Sequence, residues 1–207
     1  MWTTVSSLAT GFGTLVLAIA TFASVRSANR AARAAERSML AGLRPLLVPS
    51  RLEDEAQKVY FGDGWHVMLA GSRGVARDEN DVVYLAASLR NAGSGIGVVH
   101  GWLFHAGDYR TDEHCDLSGF TRQTRDLFIP SGDIGFWQGA LRDPADPDYD
   151  AARKAIVDRE PVTIDLLYGD YEGGQRVVSR FLLRPIRDDD YLLSVTHHWN
   201  IDRPDPR

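Results

Sequence analysis

Residues 162–184, VTIDLLYGDYEGGQRVVSRFLLR, decide the fold. Val162, Ile164, Leu166 and Tyr168 alternate with Thr163 and Asp165, so a strand here presents an apolar face and a polar one. Gly173 and Gly174 supply a turn. Val177, Phe181 and Leu183 then return with Arg176, Arg180 and Arg184 expected to face outward. The stretch reads as a β-hairpin with one buried face.

The same signal recurs along the chain, at 46–48, 58–61, 65–70, 82–90, 97–105, 120–129, 135–141 and 191–199, with turn residues between. In 82–90, Val83, Leu85, Ala87 and Leu89 share one face while Tyr84, Ser88 and Arg90 share the other. A short helix is expected near 148–158, with Ala151, Ala152, Ala155 and Ile156 as its buried stripe. Many short alternating strands with Gly-rich turns predict a mainly β domain over 45–207, drawn as a two-sheet sandwich.

The N-terminus is a different material. Residues 1–25 carry no charged side chain, and 2–25 would span about 36 Å as a helix, enough for a ~30 Å hydrocarbon core. Trp2 would mark one interface, and Arg26, Arg30, Arg33 and Arg37 the other. Arginines that follow the apolar run argue against a signal peptide and place the rest of the chain in the cytoplasm, with Met1 outside the inner membrane. The competing reading is a buried helix of a soluble domain. The helix is expected to continue as an Arg/Ala-rich stalk over 26–44, stopped by Pro45. Ala28, Ala32, Ala35, Met39 and Leu43 lie opposite the arginines. Ser7 with Gly11, and Ala20 with Ser24, are small-residue pairs that allow close helix approach, so a homo-oligomer through the anchor is one expectation.

Charge divides at the stalk. Residues 1–51 hold six Arg and one Glu; residues 52–207 hold 17 basic and 27 acidic side chains. A domain that acidic does not suit nucleic acid, whose phosphates need a basic surface. Arg outnumbers Lys 21 to 2, a bias of a GC-rich coding genome, and the single cysteine, Cys115, excludes an intrachain disulfide framework.

The run LRNAGSGIG (89–97) resembles the N-x-G-x-G strand end of immunoglobulin-like sandwich modules. The layout as a whole resembles uncharacterised bacterial single-pass membrane proteins with an N-terminal anchor, an Arg/Ala-rich stalk, an RP helix stop and a β domain. The resemblance implies glycines at positive φ that let the chain cross between sheets, and a location. It brings no activity and no site residues.

No catalytic set stands out, and no cofactor is implied. His114 and Cys115 sit in a polar loop, 107–119, but adjacent side chains diverge and acidic neighbours disfavour the thiolate. His100, His105, His114, Cys115, His197 and His198 show none of the spacings of a metal motif, and His197 and His198 point to opposite faces. Asp146, Asp148 and Asp150 begin like a calcium loop but meet Ala151 where Gly is needed, and read better as a turn and a helix cap. Residues 188–190 read as a solvated acidic turn. Gly93, Gly95 and Gly97 lack the helix and Lys of a phosphate loop. Trp65, Trp102, Trp137 and Trp199 are expected in the core or at its edges.

These observations lead to the expectation of a membrane-tethered, non-enzymatic interaction module that meets lipid through residues 2–25 and a protein partner through an unpaired strand edge or a Trp-containing patch. The alternative is a small-ligand or ion sensor, or an enzyme, that uses the 107–119 loop with His197 and His198.

Overall fold

A computed structural model describes residues 2–187 and 190–205; the acidic turn expected at 188–190 therefore lies largely outside the described residues. The chain divides into two units, a helix and a β unit that begins at Leu43.

Helix α1 (Trp2–Gly42) runs without interruption and stops three residues before Pro45. It is long and apolar enough to cross a membrane. Phe12, Leu17 and Phe22 are each about 70% exposed, and every residue from 11 to 40 is exposed, the arginines included. Thr21 satisfies its hydroxyl by donating to Leu17 O (2.8 Å), which lets a Thr-diluted segment remain apolar outside.

The β unit contains β1 (Leu47–Pro49), β2 (Gln57–Tyr60), β3 (His66–Leu69), β4 (Arg73–Glu79), β5 (Val82–Asn91), β6 (Gly97–Ala106), β7 (Thr121–Ile129), β8 (Ile134–Leu141), α2 (Tyr149–Val157), β9 (Val162–Asp170), β10 (Arg176–Arg187) and β11 (Asp190–Asn200). Nine strands join in one antiparallel sheet in the order β1-β5-β4-β11-β10-β9-β6-β7, with β8 also on β5. The hairpin read from 162–184 is the β9–β10 pair, in register from Arg176 with Gly169 to Leu183 with Val162.

The two-sheet sandwich needs correction. The hydrogen-bonded path is continuous, so the strands form one sheet that curls into a half-barrel. Its concave face encloses Leu85, Leu89, Trp137, Ile164, Leu166, Tyr168, Phe181 and Leu183, with Ala152 and Ala155 of α2 packed on. Tyr149 joins this stripe, whereas Ala151 is exposed, contrary to expectation. Asp148 caps α2 by position but makes no side-chain cap bond.

The convex face is covered in two places, which explains why strands such as β5 are buried on both sides. The β2–β3 hairpin lays Val59, Phe61 and Leu69 over Val75, Tyr84 and Ala86. Burial there pushes the Tyr84 hydroxyl up to about 12, and it donates to Asp63 (2.7 Å). The 107–119 loop covers the other patch, described below.

The N-x-G-x-G run clamps the start of the unit. Asn91, fully buried, accepts from Leu46 N (3.1 Å) and Gly93 N (2.9 Å), and donates to Gly95 O (2.6 Å) and Ile129 O (2.9 Å). A Cβ on Gly95 would lie 1.7 Å from Leu43 O. Its glycine therefore serves close backbone approach. Gly93, Gly95 and Gly97 do not adopt positive φ, so the role implied by the resemblance is corrected.

Candidate functional site

Two places in the β unit depart from a simple packed sheet. The first is the seam between β7 and β8. These strands are joined by a tight turn at 130–133 and touch there, since a Cβ on Gly135 would sit 2.8 Å from Ile129. Beyond the turn they part. On the β6–β7 ladder the pairing runs from Val99–Leu127 to Gly101–Arg122, so four β7 residues face the single His100. A bulge of that size bends β7 away from its neighbours. Among the described residues no ladder joins β7 to β8.

The result is a cleft of about 350 Å³. Trp102, from β6, forms its floor against Gly139, where a Cβ would lie 3.0 Å from the indole. Thr121, Arg122, Gln123 and Thr124 make one wall; Gln138, Gly139, Ala140 and Arg142 make the other. Gln123 Nε2 donates across to Gln138 O (3.2 Å). The buried Oε1 atoms of Gln123 and Gln138 have no hydrogen-bond partner among the described residues, nor has Trp137 Nε1. Arg142 is engaged by Asp63 (3.1 Å), while Arg122 is exposed and in no ion pair among the described residues.

The second place is a polar box on the convex face. Asp165 of β9 stands directly across from Arg180 of β10, and the ladder parity puts both on the side opposite the core. Neither is in water, which corrects the expected outward Arg180. Both are fully buried, and Arg180 donates Nε to Asp165 Oδ1 and Nη2 to Oδ2, each at 2.7 Å. The 107–119 loop supplies the cover. Thr111 Oγ1 accepts from Arg180 Nη1 (2.7 Å), and the guanidinium lies 4.7 Å from the Tyr109 ring centre and 4.9 Å from that of Trp199. The loop is held by Thr163, whose hydroxyl accepts from Tyr109 N (3.1 Å) and donates to Gly107 O (2.7 Å), and by Trp199 Nε1 donating to Asp112 O (3.0 Å).

His105, half-buried on β6, stacks on Tyr109 with ring centres 4.1 Å apart. Its Nε2 lies 3.3 Å from Asp165 Oδ2 and 3.7 Å from Cys115 Sγ. Burial pushes the Cys115 thiol up, and the Asp165 charge adds to this. The direction agrees with the sequence reading, but the responsible acid is Asp165 in place of the loop carboxylates. Burial also pushes the Asp165 carboxyl up, yet the hydrogen bonds from Arg180 and His105 outweigh it and hold it below the usual carboxylate range.

A carboxylate with a depressed folded-state pKa contributes stability that is present above its unfolded-state value and lost as pH falls through the folded value. Acidification is therefore expected to weaken the fold from the ordinary carboxylate range downward. Asp165→Asn should remove part of that slope, as read by urea unfolding across pH.

The other residues singled out in the sequence are dispersed. His114 is exposed and contacts its neighbour's carbonyl, Cys115 O (2.8 Å), so it and Cys115 do not act together. His197 stacks on Trp199, ring centres 5.1 Å apart. His198 points to the other face, its Nδ1 2.6 Å from Ser179 Oγ, which lies 2.8 Å from Tyr168 Oη. Burial pushes Tyr168 up to about 12 and its hydroxyl accepts from Leu47 N (3.1 Å), so this chain is a core tie. Trp2 and Arg26, Arg30, Arg33 and Arg37 lie on α1. Trp102, Trp137 and Trp199 are buried and Trp65 is half-buried, so no two of these four form an exposed pair.

No family model, curated protein or solved structure matches the chain.

Proposed function

We propose that this protein is a membrane-tethered interaction module whose β7–β8 seam takes up an extended segment of a partner protein. One observation carries the reading: two strand edges face each other across an unladdered cleft. An inserted strand could pair with either edge, the general mode of β-augmentation. The accompanying features fit that occupant. The Trp102 floor takes an apolar side chain, and the exposed Arg122 suits an acidic one.

The exposed apolar helix supports a single-pass anchor, and the arginines that follow its apolar run support a cytoplasmic domain at the inner membrane face. The net negative charge of residues 52–207 disfavours their contact with anionic lipid.

Arg122→Glu tests the reading without touching the core. Under mild crosslinking in native membranes, the variant is expected to recover severalfold less of a co-purifying partner while the protein's own level is unchanged. Equal recovery from both forms would count against the seam.

A further inference from the structure

We propose that His105, Cys115 and Asp165 form a binding site for a divalent transition-metal ion of the zinc class. The three donors come from β6, the 107–119 loop and β9, and their ligand atoms lie within 4.8 Å of one another. Zinc bond lengths of about 2.0 Å to N and O and 2.3 Å to S imply tetrahedral ligand–ligand edges of roughly 3.3–3.6 Å. The observed Nε2–Oδ2 and Nε2–Sγ separations, 3.3 and 3.7 Å, meet two of these three edges.

The geometry also excludes the obvious competitor. In a Cys-His-Asp relay the thiol meets one imidazole nitrogen and the carboxylate the other. Here both approach the same atom, Nε2, which holds at most one proton. Arg180 Nη2 already donates to two of these groups, Asp165 Oδ2 (2.7 Å) and Cys115 Sγ (3.8 Å); the approach of the imidazole nitrogen to the same two atoms is what suits a second, shared cation. The supporting groups are in place: Arg180 fixes the Asp165 carboxylate through two hydrogen bonds, and Tyr109 fixes the His105 ring by stacking.

Three protein ligands leave a fourth position for water or an exogenous ligand. Binding a divalent ion, M²⁺, releases the Cys115 thiol proton, shifts the His105 ring proton from Nε2 to Nδ1 so that the Nε2 lone pair can ligate, and forms S–M and N–M bonds with no change in oxidation state. The thiolate and the Asp165 carboxylate then balance the ion, and Arg180 adds one positive charge. That charge lowers affinity, so the site is exchangeable, as an ion-responsive element requires. Its ligands tie the 107–119 loop to the sheet, so occupancy stiffens the loop.

The test uses the full chain in detergent, stripped with chelator and titrated with Co²⁺. The expected result is a thiolate-to-cobalt charge-transfer band with tetrahedral visible bands, saturating at one equivalent and lost on adding Zn²⁺. Cys115→Ser should abolish the charge-transfer band, and His105→Gln should raise the Kd by about tenfold or more, with unchanged circular dichroism in both. A missing band in the wild type would overturn the proposal. So would a band whose affinity is the same in His105→Gln, because that is adventitious thiol binding.

Discussion

Replacing Arg180 with methionine is expected to destabilise the β unit by about 3–5 kcal/mol, because it strands a fully buried carboxylate. Asp165 would lose two charge-assisted hydrogen bonds at 2.7 Å, Thr111 its donor, and the Tyr109 and Trp199 rings the cation beside them. Asp165→Leu alone should cost a similar amount, since it leaves the guanidinium buried and unpaired. The double replacement Asp165→Leu/Arg180→Met should cost clearly less than either single change, because its two apolar side chains strand no buried charge. Urea unfolding of the full chain in detergent, followed by tryptophan fluorescence, gives the coupling as a double-mutant cycle. Faster alkylation of Cys115 in Arg180→Met would report the loosened loop.

A second large effect is expected at Asn91. Asn91→Ala removes four hydrogen bonds at a fully buried position and should cost about 3 kcal/mol. Asn91→Asp is more diagnostic. It keeps the acceptor for Leu46 N and Gly93 N, but turns a second oxygen toward Gly95 O and Ile129 O. The carboxyl introduced there would have a raised folded-state pKa, so this variant should regain stability as pH falls. That sign is opposite to the one expected from Asp165. Unfolding midpoints of the two asparagine variants measured across pH separate the cases.

Much of the β content is written locally. Alternation located the β9–β10 hairpin and the faces of β5, and three-to-four spacing located the helix at 149–157, because each depends on neighbours a few residues apart. Strand β4 escaped. Its sequence, RGVARDE, carries four charged side chains and a glycine that admits Leu183, so it lacks a strand's composition although it joins β5 to β11. Alternation also says which residues share a face without saying whether those faces belong to one sheet or two. Curling rests on long-range pairings such as the three-residue β4–β11 ladder.

The polar box was half legible. Parity correctly set Asp165 and Arg180 apart from the core, but their burial depends on a loop more than forty residues upstream of both. His105, Cys115 and Asp165 are separated by ten and fifty residues, so no local spacing announces them. The available signal was the unusual length of polar chain between β6 and β7, which has to pack somewhere. The expectation of an unpaired strand edge names no position, and the position of the seam depends on the β7 bulge, which no turn residue marks.

The most direct test of the seam is site-specific photocrosslinking in native membranes. A photoreactive side chain would replace Thr124, on the cleft wall, or Glu172, in the β9–β10 turn. A discrete adduct is expected from position 124 and none from position 172. No adduct from 124, or the same adducts from both, would contradict it.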